Sequence, residues 1–88
     1  MPRTTLSDEE KELGRALGAE IRRRRGERPA SALASSSGVN LDTWRRVEQG
    51  RVPTPGFFLV ADIAGALRVG LDELATAARR TGEAGDEA

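Results

Sequence analysis

Pro29-Ala30-Ser31-Ala32-Leu33-Ala34-Ser35-Ser36-Ser37-Gly38-Val39-Asn40-Leu41-Asp42-Thr43-Trp44-Arg45-Arg46-Val47-Glu48-Gln49-Gly50 is the stretch on which the fold of this chain turns. Proline suits the first position of a helix, where the N–H it lacks would find no partner anyway, so Pro29 opens a short helix running through Leu33 to Ser35. Ser36-Ser37-Gly38 ends it with a turn. Asn40 then offers a side-chain oxygen to the following backbone N–H groups, and a further helix runs from Leu41 to about Gln49, closed by Gly50. Two short helices joined by a few residues, with glycine at the corner, trace a helix-turn-helix outline.

The flanks extend the helical reading. Upstream, Ser7-Asp8-Glu9-Glu10 has the spacing of a capping box, with acids in the first turn and the run Arg22–Arg25 in the last, as the helix dipole favours. Leu13, Leu17 and Ile21 recur every four residues as one buried stripe, so this helix runs from about Asp8 to about Arg25, with Gly26 as its stop. Downstream, Val52-Pro53-Thr54-Pro55 reads as a rigid connector in which Thr54 caps a fourth helix and Pro55 occupies its first turn. Val60, Ile63, Ala64 and Leu67 form the apolar face of that helix. Gly70 interrupts the chain, and Leu71-Asp72-Glu73-Leu74 begins a fifth helix through about Arg80. The expectation is an all-α, five-helix domain over residues 8–80, an N-terminal tail over 1–7 and a disordered acidic tail over 81–88.

Composition narrows the chemistry. Eighty-eight residues support one modest core. The longest apolar run, Phe57 to Ala61, is far short of a membrane span, and the N-terminus carries no apolar signal, so a cytoplasmic chain is expected. Cys, His and Tyr are missing and Lys11 is the single lysine. Thiolate and imidazole chemistry, disulfides and zinc sites of the usual ligand types are thereby excluded, which argues against an enzyme. No metal, nucleotide or other cofactor site is evident. The formal charge is zero, but it is unevenly spread: −2 over residues 1–14, +5 over 15–51 and −3 over 52–88. A basic middle between acidic ends creates a local field that the total conceals. For Arg22–Arg25 two readings stand, a contribution to that field or a complement to the helix C-terminus.

The helix from Leu41 to Gln49 carries the candidate site. At ~100° per residue, Leu41, Arg45, Gln49, Asp42 and Arg46 fall within roughly 140° of arc, opposite Thr43, Trp44 and Val47. A major groove admits a helix of this shape. Arginine pairs bidentately with guanine there, and a carboxylate accepts from the cytosine amino group. A plain solvated face has the same pattern, so the pattern alone does not decide.

Several blocks in order resemble the XRE/Cro family of helix-turn-helix regulators, which includes the lambda-like phage repressors. They are Leu33-Ala34 with Ser37-Gly38-Val39, then Trp44-Arg45-Arg46-Val47-Glu48-Gln49-Gly50-Arg51, then Ile63-Ala64-Gly65-Ala66-Leu67 and Leu71-Asp72-Glu73-Leu74. The resemblance covers Leu13 to Leu74 and implies a lambda repressor-like DNA-binding domain of a bacterial transcriptional regulator. It places Leu41, Asp42, Arg45 and Arg46 where the family faces bases, and Ala30, Gln49 and Arg51 where it meets phosphates. It also implies a partly buried Arg22–Glu48 ion pair and a core position for Trp44. Double-stranded DNA is the implied partner, and a homodimer through the fifth helix, with Leu71 and Leu74 partly shared, the implied assembly.

The chain also departs from the family pattern. Pro29-Ala30 replaces the polar pair that often opens the second helix, leaving only a backbone N–H for a phosphate. Leu41 offers a methyl contact, Asp42 turns a negative charge toward a polyanion, and Pro53-Thr54-Pro55 stands where Lys or Arg is common. These departures keep a second reading open: the same scaffold docking a protein partner, such as a polymerase subunit, a larger regulator or a toxin.

Overall fold

Ser7 caps the first helix: its hydroxyl accepts from the Glu10 N–H at 3.1 Å, and the Glu10 carboxylate accepts from the Ser7 N–H at 3.0 Å. This reciprocal cap satisfies two donors that a bare helix end would leave unpaired. The computed structural model describes residues 7–87, with side chains through Thr81. Within it are five helices: α1 (Asp8–Arg25), α2 (Ala30–Ser37), α3 (Leu41–Glu48), α4 (Phe57–Leu67) and α5 (Leu71–Glu87). The expected all-α, five-helix fold is the fold observed.

Local chemistry explains most of the boundaries. Gly38, at φ +76°, lets α2 close with the Val39 N–H reaching back to the Ala34 carbonyl at 3.0 Å. That Schellman turn satisfies carbonyls the helix end would orphan and sets the corner into α3. Asn40 caps α3 as expected, its side-chain oxygen accepting from the N–H groups of Asp42 and Thr43. α4 closes with the same turn, but there the left-handed residue is Arg68, at φ +61°.

Three boundaries differ from the sequence expectation. Pro29 is the N-cap of α2 rather than its first helical residue. Thr54 and Pro55 lie outside α4, whose N-cap is Gly56. The connector is held by tertiary packing: a Cβ on Gly14 of α1 would stand 2.6 Å from the Pro53 Cα, so the two backbones touch. The chain is then free to enter the helix only after Pro55. α5 runs through Glu87, past the end expected near Arg80, because an established helix propagates with one new hydrogen bond per residue and two glycines weaken it without stopping it. Residues 81–87, expected to be disordered, are thus helical; Ala88 and the tail residues 1–6 lie outside the described residues.

The core gathers Ile21 of α1, Leu33 and Ala34 of α2, Trp44 and Val47 of α3, Ile63, Ala64 and Leu67 of α4, and Leu74 of α5. α1 packs along α5 and against α3, while α2 lies on α4 and α3. α3 is therefore wedged into the domain by one face, and its other face is left outside.

Candidate nucleic-acid interface

Trp44 and Val47 anchor α3, with no more than 1% of either exposed. Trp44 is a core residue, as expected, and its indole N–H donates to Glu48 Oε2 at 2.7 Å, so burial leaves no polar atom unpaired. Opposite them Asp42, Arg45, Arg46 and Gln49 are exposed, together with Arg51 just beyond the helix. Leu41 is half-buried against the core and offers outward only part of its side chain. The periodicity thus placed Asp42, Arg45, Arg46 and Gln49 on the outward face, whereas Leu41, expected with them, lies at its edge and packs on the core.

Within that face the charges are not equivalent. Arg46 Nη2 pairs with Asp42 Oδ2 at 2.9 Å, one helical turn apart, whereas Arg45 makes no ion pair among the described residues. Arg51 Nη1 donates to Gln49 Oε1 at 3.4 Å, a long contact that ties Arg51, two residues past the C-cap of α3, to that cap. At the start of α2, Ala30 is half-buried and Pro29 gives no side-chain cap, which leaves the first N–H groups of that helix for an external acceptor.

The expected Arg22–Glu48 ion pair does not form. Glu48 instead receives Arg25 in a bidentate pair, Nε to Oε2 at 2.7 Å and Nη2 to Oε1 at 2.9 Å, while Arg22 is exposed. Helical register is the reason. Arg25 lies four residues after Ile21 and so continues the inward stripe of Leu13, Leu17 and Ile21; Arg22 lies a further ~100° around the helix from Ile21. The hydrogen bonds to Glu48 raise the Arg25 pKa, and Arg25 Nη1 also donates to the Arg28 carbonyl at 2.9 Å. One guanidinium thus joins the end of α3, the end of α1 and the loop into α2.

Two further supports carried no expectation. Gly18 faces the last turn of α3, where a Cβ would stand 2.6 Å from the Glu48 carbonyl oxygen and closer still to that of Val47. Only glycine allows α1 and α3 to approach so closely. Glu20 is 6% exposed and gathers Arg23 and Arg24, at 2.6 Å from each. The hydrogen bond from Arg23, and then that from Arg24, hold its carboxyl below the usual glutamate range, with burial opposing them. Arg28 donates to the carbonyls of Arg24 and Arg25. Within the run Arg22–Arg25 the residues thus differ: Arg24 and Arg25 are half-buried in ion pairs, Arg23 pairs with Glu20 from an exposed position, and Arg22 is exposed. The four-residue stripe could have pointed to Arg25, whereas no local signal marks Gly18.

A family model described as a helix-turn-helix domain matches residues 16–77, and that span holds the whole of α2 to α4, most of α1 and the start of α5. The chain belongs to this helix-turn-helix family. The family occurs in XRE-like regulators, is typically non-enzymatic, and implies a DNA-binding regulator. Comparison with curated proteins finds no match. Among the described residues no helix is long and apolar enough to cross a membrane.

Proposed function

We propose that this helix-turn-helix protein is a sequence-specific transcriptional regulator, acting as a cytoplasmic repressor that reads operator half-sites with α3. The observation that carries the reading is the division of α3 itself: Trp44 and Val47 locked in the core, and Asp42, Arg45, Arg46 and Gln49 all turned outward. A helix held this rigidly can present donors to base edges without a large ordering cost. Leu41, Asp42, Arg45 and Arg46 are assigned to bases. Gln49, Arg51 and the N–H of Ala30 are assigned to phosphates, whose contacts position the helix without carrying sequence information. No catalytic role is assigned to any residue of a chain without Cys, His or Tyr.

Operators of this kind are read by pairs of domains, so a homodimer belongs to the proposal. Leu74 is 1% exposed within its own chain and is taken up by the core, which leaves Leu71 and the outer face of α5 for such a contact.

A second reading, docking of a protein partner, is favoured by a specific feature. Phe57 and Phe58 are 66% and 78% exposed, stacked edge to face at 5.1 Å, beside an open groove of about 440 Å³ lined by Leu13, Leu17, Val60 and Ala75. Exposed aromatic pairs of this size suit protein contacts better than a polyanion. Selection of bound duplexes from a random-sequence library decides between them. Recovery of a repeated motif supports the regulator; binding no better than to random duplex at low salt leaves protein docking as the better account.

A further inference from the structure

Among the described residues, the one ion pair on the outward face of α3 joins Asp42 to Arg46, with 69% and 58% of the respective side chains exposed. In water such a pair contributes little to stability. Its effect on recognition is larger, for three reasons. Asp42 and Arg46 lie one turn apart, so the carboxylate stands beside the guanidinium along the same line of the helix. One oxygen, Oδ2, engages one nitrogen, Nη2, at 2.9 Å. That contact is an ion pair and not an aligned hydrogen bond, so it draws the guanidinium toward the Asp42 side of the helix and leaves its N–H groups free to reach the O6 and N7 of guanine. Among the described residues the second carboxylate oxygen has no side-chain partner and keeps its capacity to accept from a cytosine or adenine amino group.

Arg45 provides the internal contrast. It is exposed on the same face and has no carboxylate partner among the described residues, so no carboxylate draws its guanidinium to one side. A carboxylate on this surface also repels every duplex alike, since each phosphate nearby is negative.

We infer that Asp42 is a positioning and specificity-determining residue: it weakens attachment to DNA in general and orients Arg46 for one guanine, accepting from the neighbouring base pair with its other oxygen. This inference rests on the DNA-binding reading above. It predicts opposite signs for two measurements on a single variant. Removing the charge should tighten non-specific binding, and removing the restraint should loosen discrimination.

The test uses the full chain and titrates two duplexes at fixed salt, one carrying the motif recovered by selection and one of scrambled sequence. For Asp42→Asn we expect scrambled-duplex affinity to rise two- to tenfold and the ratio of specific to scrambled affinity to fall at least tenfold. The lost preference should be confined to the guanine read by Arg46 and the adjacent base pair. Asp42→Glu keeps the charge but displaces the carboxylate by one methylene, so it should leave scrambled-duplex affinity unchanged and still lose discrimination. Unaltered discrimination in Asp42→Asn, or equal losses on both duplexes, overturns the inference while the DNA-binding reading stands. A wild-type chain with no preferred sequence overturns that reading, and the inference falls with it. Should Asp42→Asn be destabilised because a first-turn acid is lost, Asp42→Glu keeps that acid and its loss of discrimination still gives the answer.

Discussion

Arg23, Arg24 and Arg25 near the end of α1 and Arg45, Arg46 and Arg51 at the end of α3 bring the same charge to the chain, yet the fold uses them differently. The first group is paired with buried carboxylates of the domain, Arg23 from an exposed position: Glu20 takes Arg23 and Arg24, and Glu48 takes Arg25. The second group faces outward, and among the described residues only Arg46 meets a carboxylate. A tally of positive residues over 15–51 therefore overstates the field that a DNA phosphate would meet. What α1 contributes is the placement of α3, through the Arg25–Glu48 bridge and the close approach at Gly18.

The largest expected effect attacks the structural group. The Glu48 side chain is 7% exposed, and its removal strands both the Arg25 guanidinium and the Trp44 indole N–H. Glu48→Ala should cost about 3–5 kcal/mol, read as a fall in the urea midpoint at constant slope. Arg22→Ala, on the exposed side of α1, should stay within about 0.5 kcal/mol of wild type. Equal losses in the two variants would erase the distinction drawn between these arginines.

Next in size is the outward group. Arg46→Ala should cost about 1–3 kcal/mol of binding and relax preference at particular base pairs. Arg51→Ala should weaken binding to all sequences alike and flatten the salt dependence by about one unit. Titrations of a selected and a scrambled duplex across a salt series separate the two. If Arg51→Ala changed base preference instead, its assignment to phosphate would fail.

How much of this was legible in the chain follows from the range of the forces involved. α1 could be read from end to end because Ser7, Glu10 and Gly26 act within a turn or two of themselves. The Gly38 corner and the Asn40 cap were legible for the same reason. The outward face of α3 followed from the periodicity of Trp44 and Val47. What the chain hid depends on distant partners: which arginine meets Glu48, why residue 18 must be glycine, and where α4 begins once Pro53 lies on Gly14. The end of α5 was obscured differently, since acid- and glycine-rich composition resembles a solvated tail yet leaves an established helix intact.

A smaller effect sharpens the comparison through pH. The Glu20 carboxyl sits below its usual range when folded, so its ionised form is favoured by the native state. Its contribution is complete above the unfolded value of about 4.3 and disappears as pH falls through the lower native value. Glu20→Gln should therefore be less stable than wild type at pH 7, and the gap should be narrower at an acid pH below about 4.3, where the loss sets in. Urea midpoints for both proteins at the two pH values measure it. A gap that persists undiminished in acid would mean that Glu20 acts by packing rather than by charge.

The smallest effect concerns an arginine that belongs to neither group. Arg68 is exposed, makes no ion pair among the described residues, and is the one non-glycine residue there with positive φ. It occupies the left-handed position that closes α4, where its N–H donates to the Gly65 carbonyl at 3.1 Å. A Cβ in that conformation costs roughly 1–2 kcal/mol, and glycine would remove the cost while adding about 0.5–1 kcal/mol of chain entropy to the unfolded state. Arg68→Gly should thus stabilise the domain by about 0.5 kcal/mol, seen as a small rise in melting temperature. Removing one positive charge should meanwhile leave the affinity ratio of selected to scrambled duplex unchanged. A lower ratio would move Arg68 into the outward group and place part of the DNA contact at the end of α4. A drop in stability would instead show that the side chain supports the turn it occupies.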